Sequence, residues 1–149
     1  MLNFSFSLAR QIQKFDRCDE NLKSFAHMAV ASLVGCGFCL DYGYYQAHNH
    51  GLDLTKAREV PRWRESDVFT PLERDVMEYA EAMTQTPPTV TDELSARLLA
   101  ALGPAGLVEL TTIAALANFM TRSNVAMGIE SQGFADACDL KPLAVASTV

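Results

Sequence analysis

The chain reads as all-α, with about six helices in a single domain, and three features of the sequence predict this. Apolar residues recur at three-and-four spacing in successive stretches. No stretch alternates with period two long enough to make a sheet. Gly35, Gly51, Pro61, Pro87-Pro88 and Gly103-Pro104 punctuate the chain between the periodic stretches. Asp19 caps a first helix with apolar positions at Leu22, Phe25, Ala26, Ala29, Val30 and Leu33, and Gly35 breaks it. A second helix starts at the cysteine pair Cys36-Gly37-Phe38-Cys39 and runs to a stop at Gly51. Thr55 to Val60 adds a short third piece, closed by Pro61. Thr70-Pro71-Leu72-Glu73 opens the fourth with an N-cap Thr, a Pro at the first helical position and a capping-box Glu. Val76, Tyr79, Ala80 and Met83 form its buried stripe, and Pro87-Pro88 lies beyond its end. Thr91 or Asp92 opens the fifth, with Leu94, Leu98, Leu99 and Leu102 on its inner side, and Gly103-Pro104 punctuates. The sixth extends from about Ala105 to Met127. From Leu107 to Met120 it is apolar nearly all round, the pattern of a helix buried on several sides, partly by a partner subunit, so a homo-oligomer is expected. The tail after Gly133 is expected to be loosely attached.

A length of 149 residues with 49% hydrophobic composition fits one core, so residues 1–149 are read as one domain. Eighteen acidic against twelve basic residues leave a net charge of −6, which argues against a nucleic-acid partner. No apolar run is read as approaching the roughly 20 residues of a membrane span, so no membrane partner is expected. The first charge, Arg10, follows a short apolar stretch, the reverse of a secretory signal, and a cytoplasmic location is expected. In a reducing compartment four cysteines do not read as a disulfide framework; the C-x-x-C pair reads as redox-active or metal-binding. Cys18 and Cys138 stand alone and read as packing residues.

Cys36 and Cys39, three apart at a helix start, lie on one face and are close enough to form a disulfide. Unsatisfied N–H groups at the helix N-terminus favour thiolate over thiol. Thiolate attacks peroxides, disulfides or a lipoyl ring. Helix-terminus electrostatics favour Cys36 as the attacking sulfur. The competing reading is zinc held by Cys36, Cys39, His48 and His50. A continuous helix separates Cys39 from His48 by about 13 Å, too far for one metal, so neither a metal nor a cofactor is expected.

Gly35-Cys36-Gly37-Phe38-Cys39-Leu40-Asp41 at a helix start, the stretch Asn118-Phe119-Met120-Thr121-Arg122-Ser123-Asn124, and an all-helical remainder resemble the carboxymuconolactone decarboxylase and alkylhydroperoxidase D-like family over roughly residues 20 to 130. The resemblance implies an AhpD-like helical fold assembled into trimers or hexamers. Its redox members reduce hydroperoxides with a C-x-x-C pair, drawing electrons from a dithiol donor such as a lipoylated protein. It implies Cys39 as the attacking thiol and Cys36 as the resolving partner. That branch also carries a Glu twelve residues before the first cysteine and a His four after the second, and together these relay a proton. Ser24 and Gly43 stand at those positions here. Neither is a general base near neutral pH.

His27, one turn after Ser24, is the candidate substitute, since an imidazole titrates in the range that proton transfer needs. Glu20 supports a helix N-terminus, and Asp41 is expected to point away from the cysteines. Tyr42, Tyr44 and Tyr45 read as packing, and Glu109 has nothing in the sequence to bring it near the pair. Arg122 is expected to form a structural cluster with Asn118. The leading reading is a thiol-dependent antioxidant oxidoreductase, slow for want of the relay, using Cys36, Cys39 and His27 on a small hydroperoxide or disulfide. The alternatives are a family scaffold that has lost its relay and acts by binding, and a lactone decarboxylase-like enzyme.

Overall fold

The structure, a computed structural model, describes residues 14–138 together with positions 8, 11 and 12, and for 137 and 138 it describes the backbone alone. All of its regular structure is helical: α1 (Glu20–Val34), α2 (Gly37–Asn49), α3 (Leu54–Glu59) running into a 3₁₀ segment (Val60–Glu65), α4 (Pro71–Thr84), α5 (Asp92–Ala126) and a terminal 3₁₀ turn (Ala135–Cys138).

Helix α1 is the centre of the molecule and packs against α2, α4, α5 and the first 3₁₀ segment. Most of its middle is buried: Phe25, Ala26, Met28, Ala29, Val30 and Ala31 are at most 1% exposed. The alanines let neighbouring helices approach closely, while Phe25 meets Phe69 edge to face at 5.6 Å between ring centres. Asp19 caps the helix by accepting the Asn21 N–H at 2.8 Å. At the other end Gly35 adopts φ +77°, and the N–H groups of Gly35 and Cys36 bond back to Ser32 and Ala31. This is a left-handed termination that only glycine adopts without strain.

The α-helical third piece ends at Glu59, just before Pro61, close to the stop that the sequence predicts; the chain then passes through Pro61 as a 3₁₀ segment that is itself kinked at Arg62 (φ −128°, ψ 32°). The capping box of α4 is formed in both directions, Glu73 N–H to Thr70 Oγ1 at 3.3 Å and Thr70 N–H to a Glu73 carboxylate oxygen at 2.7 Å. The expected fifth and sixth helices are the two arms of α5, broken at Gly103, whose φ +68° and ψ 172° are not helical. Counted as two arms, α5 brings the number of helices to the six that periodicity predicts.

Helix α5 meets the length and composition of a membrane-crossing segment, contrary to the expectation that no run approaches one. Here it packs against α1 and α4. Its outer side stays apolar, with Leu99, Val108, Phe119, Met120 and Val125 all at least 45% exposed. An open groove of about 410 Å³ between α4 and α5, lined by Tyr79, Leu99, Leu107 and Val108 among others, lies on that side. Glu109 has a structural role: its carboxylate accepts the backbone N–H groups of Asp16, Arg17 and Cys18 at 2.9–3.2 Å and ties the approach to α1 onto α5.

Candidate active site

The Gly35 turn delivers Cys36 to the N-cap of α2. Its sulfur accepts the Cys39 N–H at 3.2 Å. The two cysteines are paired as a disulfide with a Cα–Cα separation of 5.3 Å, inside the normal range for that bond. Both are nearly sealed from solvent, Cys36 at 1% and Cys39 at 3% exposure. A second donor comes from far along the chain. The Asn124 side-chain amide, near the end of α5, donates to Cys39 Sγ at 3.2 Å. Each sulfur therefore accepts one N–H, from the helix start for Cys36 and from a carboxamide for Cys39.

Gly43 lies one turn after Cys39 on α2, and the space where a side chain would stand is taken from α1. A Cβ built there falls 2.8 Å from Met28 Cγ and 3.9 Å from His27 Nδ1. His27 Nδ1 thus lies beside Gly43, the residue that stands where the resemblance places a relay histidine, and it makes no hydrogen bond to either sulfur. Burial lowers its pKa below the ordinary histidine value, which favours the neutral ring and makes it a weaker base than a solvated imidazole.

Asp41 is turned away from the sulfurs, as expected, and has an unforeseen task. Burial pushes its carboxyl up, but the Ala135, Phe134 and Gln132 N–H groups and the Ser131 hydroxyl bond to it at 2.5–3.1 Å. Their combined pull holds it below the usual carboxylate range. Phe134 then packs beside Phe38, Tyr42 and Tyr45, with ring centres 5.8–6.1 Å apart. This network ties Phe134 and Ala135 to α2; the rest of the tail expected to be loosely attached, residues 139–149, lies outside the described residues.

The remaining candidates are structural. Tyr44 is core, its hydroxyl without a hydrogen bond and pushed up to about 12 by burial. Arg122 bonds Asn118 and the Thr84 carbonyl, and Glu20 pairs with Lys23. Cys18 is buried and its thiol raised to about 11 by that burial, which makes it a poor nucleophile. Helix α2 runs unbroken through Gly43, so His48 and His50 stay at its far end, exposed.

Residues 6–82 match the carboxymuconolactone decarboxylase family. The chain belongs to that family. Among curated relatives it is 37% identical over 115 residues to the uncharacterized protein YnjA of Escherichia coli, covering 77% of this chain and 63% of YnjA. It is 30% identical over 100 residues to the uncharacterized protein YdfG of Bacillus subtilis, covering 66% of this chain and 68% of YdfG. The chain thus spans less than two thirds of YnjA. Two solved structures share the fold. One is a protein of unknown function from Agrobacterium tumefaciens, proposed as an antioxidant defence protein AhpD, with TM-score 0.80, 21% identity and coverage of 87% of this chain and 89% of that one. The other is apo debrominase Bmp8, with TM-score 0.77, 23% identity and coverage of 88% and 70%. The AhpD-like helical fold is therefore shown. The family match includes Cys36 and Cys39 and stops well short of Asn124.

Proposed function

We propose that this protein is a cytoplasmic dithiol oxidoreductase that reduces small hydroperoxides or disulfides through Cys36 and Cys39. The observation that supports it most is the pair itself, two sulfurs at bonding distance at a helix start, each accepting an N–H donor. In the reduced enzyme His27 takes the Cys39 thiol proton. The thiolate attacks the peroxide: an S–O bond forms, the O–O bond breaks, and the departing alkoxide leaves as alcohol with the proton from His27. The Cys36 thiol then attacks the Cys39 sulfenic acid, releasing water and closing the disulfide. A dithiol donor, such as a lipoylated protein, reopens it by exchange and leaves oxidised. With Ser24 and Gly43 in the relay positions, turnover is slow beside relatives that carry Glu and His. The exposed apolar side of α5 supports assembly of copies into a trimer or hexamer.

The experiment treats the reduced protein with one equivalent of an organic hydroperoxide, alkylates it, and maps the peptides by mass. One Cys36–Cys39 disulfide per alcohol formed supports the reading. Both thiols free, or pairing with Cys18 or Cys138, overturns it. A scaffold that binds without turning over is the second reading, favoured by Met28 filling the space at Gly43; an intact fold with no alcohol produced would establish it.

A further inference from the structure

We infer that Asn124 is the donor that makes Cys39, rather than Cys36, the thiolate of the reduced pair. Its side-chain amide lies 3.2 Å from Cys39 Sγ, and among the hydrogen bonds at the two sulfurs it is the one contributed by another helix. A disulfide sulfur is a weak acceptor, and a thiolate is a strong one. The contact therefore gains strength when the bond opens and charge settles on Cys39.

The charged and titratable groups around the pair leave this task to Asn124. Asp41 on α2 is consumed by Ser131, Gln132, Phe134 and Ala135. His27 on α1 is kept neutral by burial and faces Gly43. Arg122 on α5 is engaged with Asn118 and Thr84. Cys36 has its own helix-start N–H, which alone would favour the first sulfur. The carboxamide offsets that bias. Asn124 is held for the purpose: its own carbonyl accepts the Ile129 N–H at 3.0 Å where α5 ends, and its side chain is partly buried. By favouring the reduced form, the same contact makes the disulfide easier to reduce, by about 30 mV for each tenfold gain in the reduced population.

The assignment rests on the dithiol reading above, and its test does not depend on peroxide turnover. Cys39 is titrated as the ultraviolet thiolate absorbance that distinguishes Cys36→Ser from Cys36→Ser/Cys39→Ser. Adding Asn124→Ala to the Cys36→Ser chain is expected to raise the Cys39 midpoint by about one to two pH units, the weight of a hydrogen bond to a charged acceptor. Asn124→Asp, nearly the same shape, is expected to raise it further by placing a like charge beside the sulfur, and it serves if the alanine variant fails to fold. Asn124→Gln, which retains the amide, is expected to recover part of the shift. Cys36 is titrated in the same way in the Cys39→Ser background and is expected to be unmoved by Asn124→Ala. A Cys39 midpoint unchanged in both Asn124→Ala and Asn124→Asp overturns the inference. So does an equal shift of Cys36, which would mark a general loosening of the helix start. If the midpoint shifts as expected in a protein that forms no alcohol from hydroperoxide, the peroxidase reading falls and the role of Asn124 stands.

Discussion

Replacing Gly43 with alanine tests whether α1 has taken over the space beside Cys39. A glycine inside a solvent-facing helix costs about 1 kcal/mol relative to alanine, so filling an open position would stabilise the protein by that amount. Gly43 is not open. The new Cβ would lie 2.8 Å from Met28 Cγ and 3.6 Å from its sulfur, and Met28 is fully buried. Overpacking of a tight core costs about 1–3 kcal/mol, which outweighs the helix gain. The expected outcome is a net loss of about 1 kcal/mol, or about 2–4 °C in Tm, measured by urea unfolding and calorimetry of the oxidised protein. Met28→Ala alone is expected to lose about 2–5 kcal/mol to the cavity it leaves. The double variant, with the alanine methyl filling part of that cavity, should lose at least about 1 kcal/mol less than the sum of the two single losses. A Gly43→Ala protein that is more stable than the parent, with strictly additive behaviour in the Met28→Ala background, would refute the reasoning. The same crowding bears on catalysis, because a histidine at position 43 has no room until Met28 is shortened.

The network around Asp41 gives a pH prediction. Its folded carboxyl sits below the ordinary value, so its stabilisation is complete above the ordinary aspartate value and is lost as pH falls through the folded one; Asp41→Asn, which presents an N–H to other N–H groups, should cost about 2–3 kcal/mol at pH 7 and flatten the acid limb of a Tm-against-pH series. His27→Ala is expected to lower hydroperoxide turnover by about 10²-fold or more while mass mapping still finds the Cys36–Cys39 disulfide after mild oxidation. An unchanged rate would remove His27 from the mechanism. Light scattering at micromolar concentration is expected to give a multiple of the 16.3 kDa chain mass, and Val108→Glu with Phe119→Glu on the outer side of α5 should lower it; a monomer mass for the parent would count against assembly.

What was legible in the sequence is what local physics determines. Asp19, Gly35 and the Thr70–Glu73 box act within a turn or two of themselves, and each does what its residue type dictates. Cys36 and Cys39 belong to the same class, since three residues at a helix start place the sulfurs together whatever the rest of the chain does. His27 was visible as a residue type one turn from Ser24, but its approach to Gly43 depends on how α1 crosses α2. Nothing in the sequence brings Asn124 to Cys39, because 85 residues separate the two and no periodicity reports that contact. The partners of Glu109 and Asp41 are equally remote, at 91–94 positions for most of their bonds. Pro61 marks the end of the α-helical third piece as its residue type dictates, while the kinked 3₁₀ continuation beyond it has no signal in the sequence. The outer side of α5 was legible as excess apolar surface, while its membrane-like composition was hidden by reading the helix as two pieces around Gly103.

The long separation between Cys39 and Asn124 has a consequence during biosynthesis. A ribosome releases Cys18, Cys36 and Cys39 long before it adds residue 124, at roughly 5–20 residues per second. For several seconds the nascent chain carries its thiols without the carboxamide that distinguishes them, and without the Ser131–Ala135 segment that Asp41 will hold. In that interval Cys18 is one more thiol beside the pair; only when α5 docks and Glu109 gathers the backbone of Asp16, Arg17 and Cys18 is it buried out of reach. Arrival of the C-terminal third therefore completes the hydrogen bond that sets Cys39 apart from the other thiols.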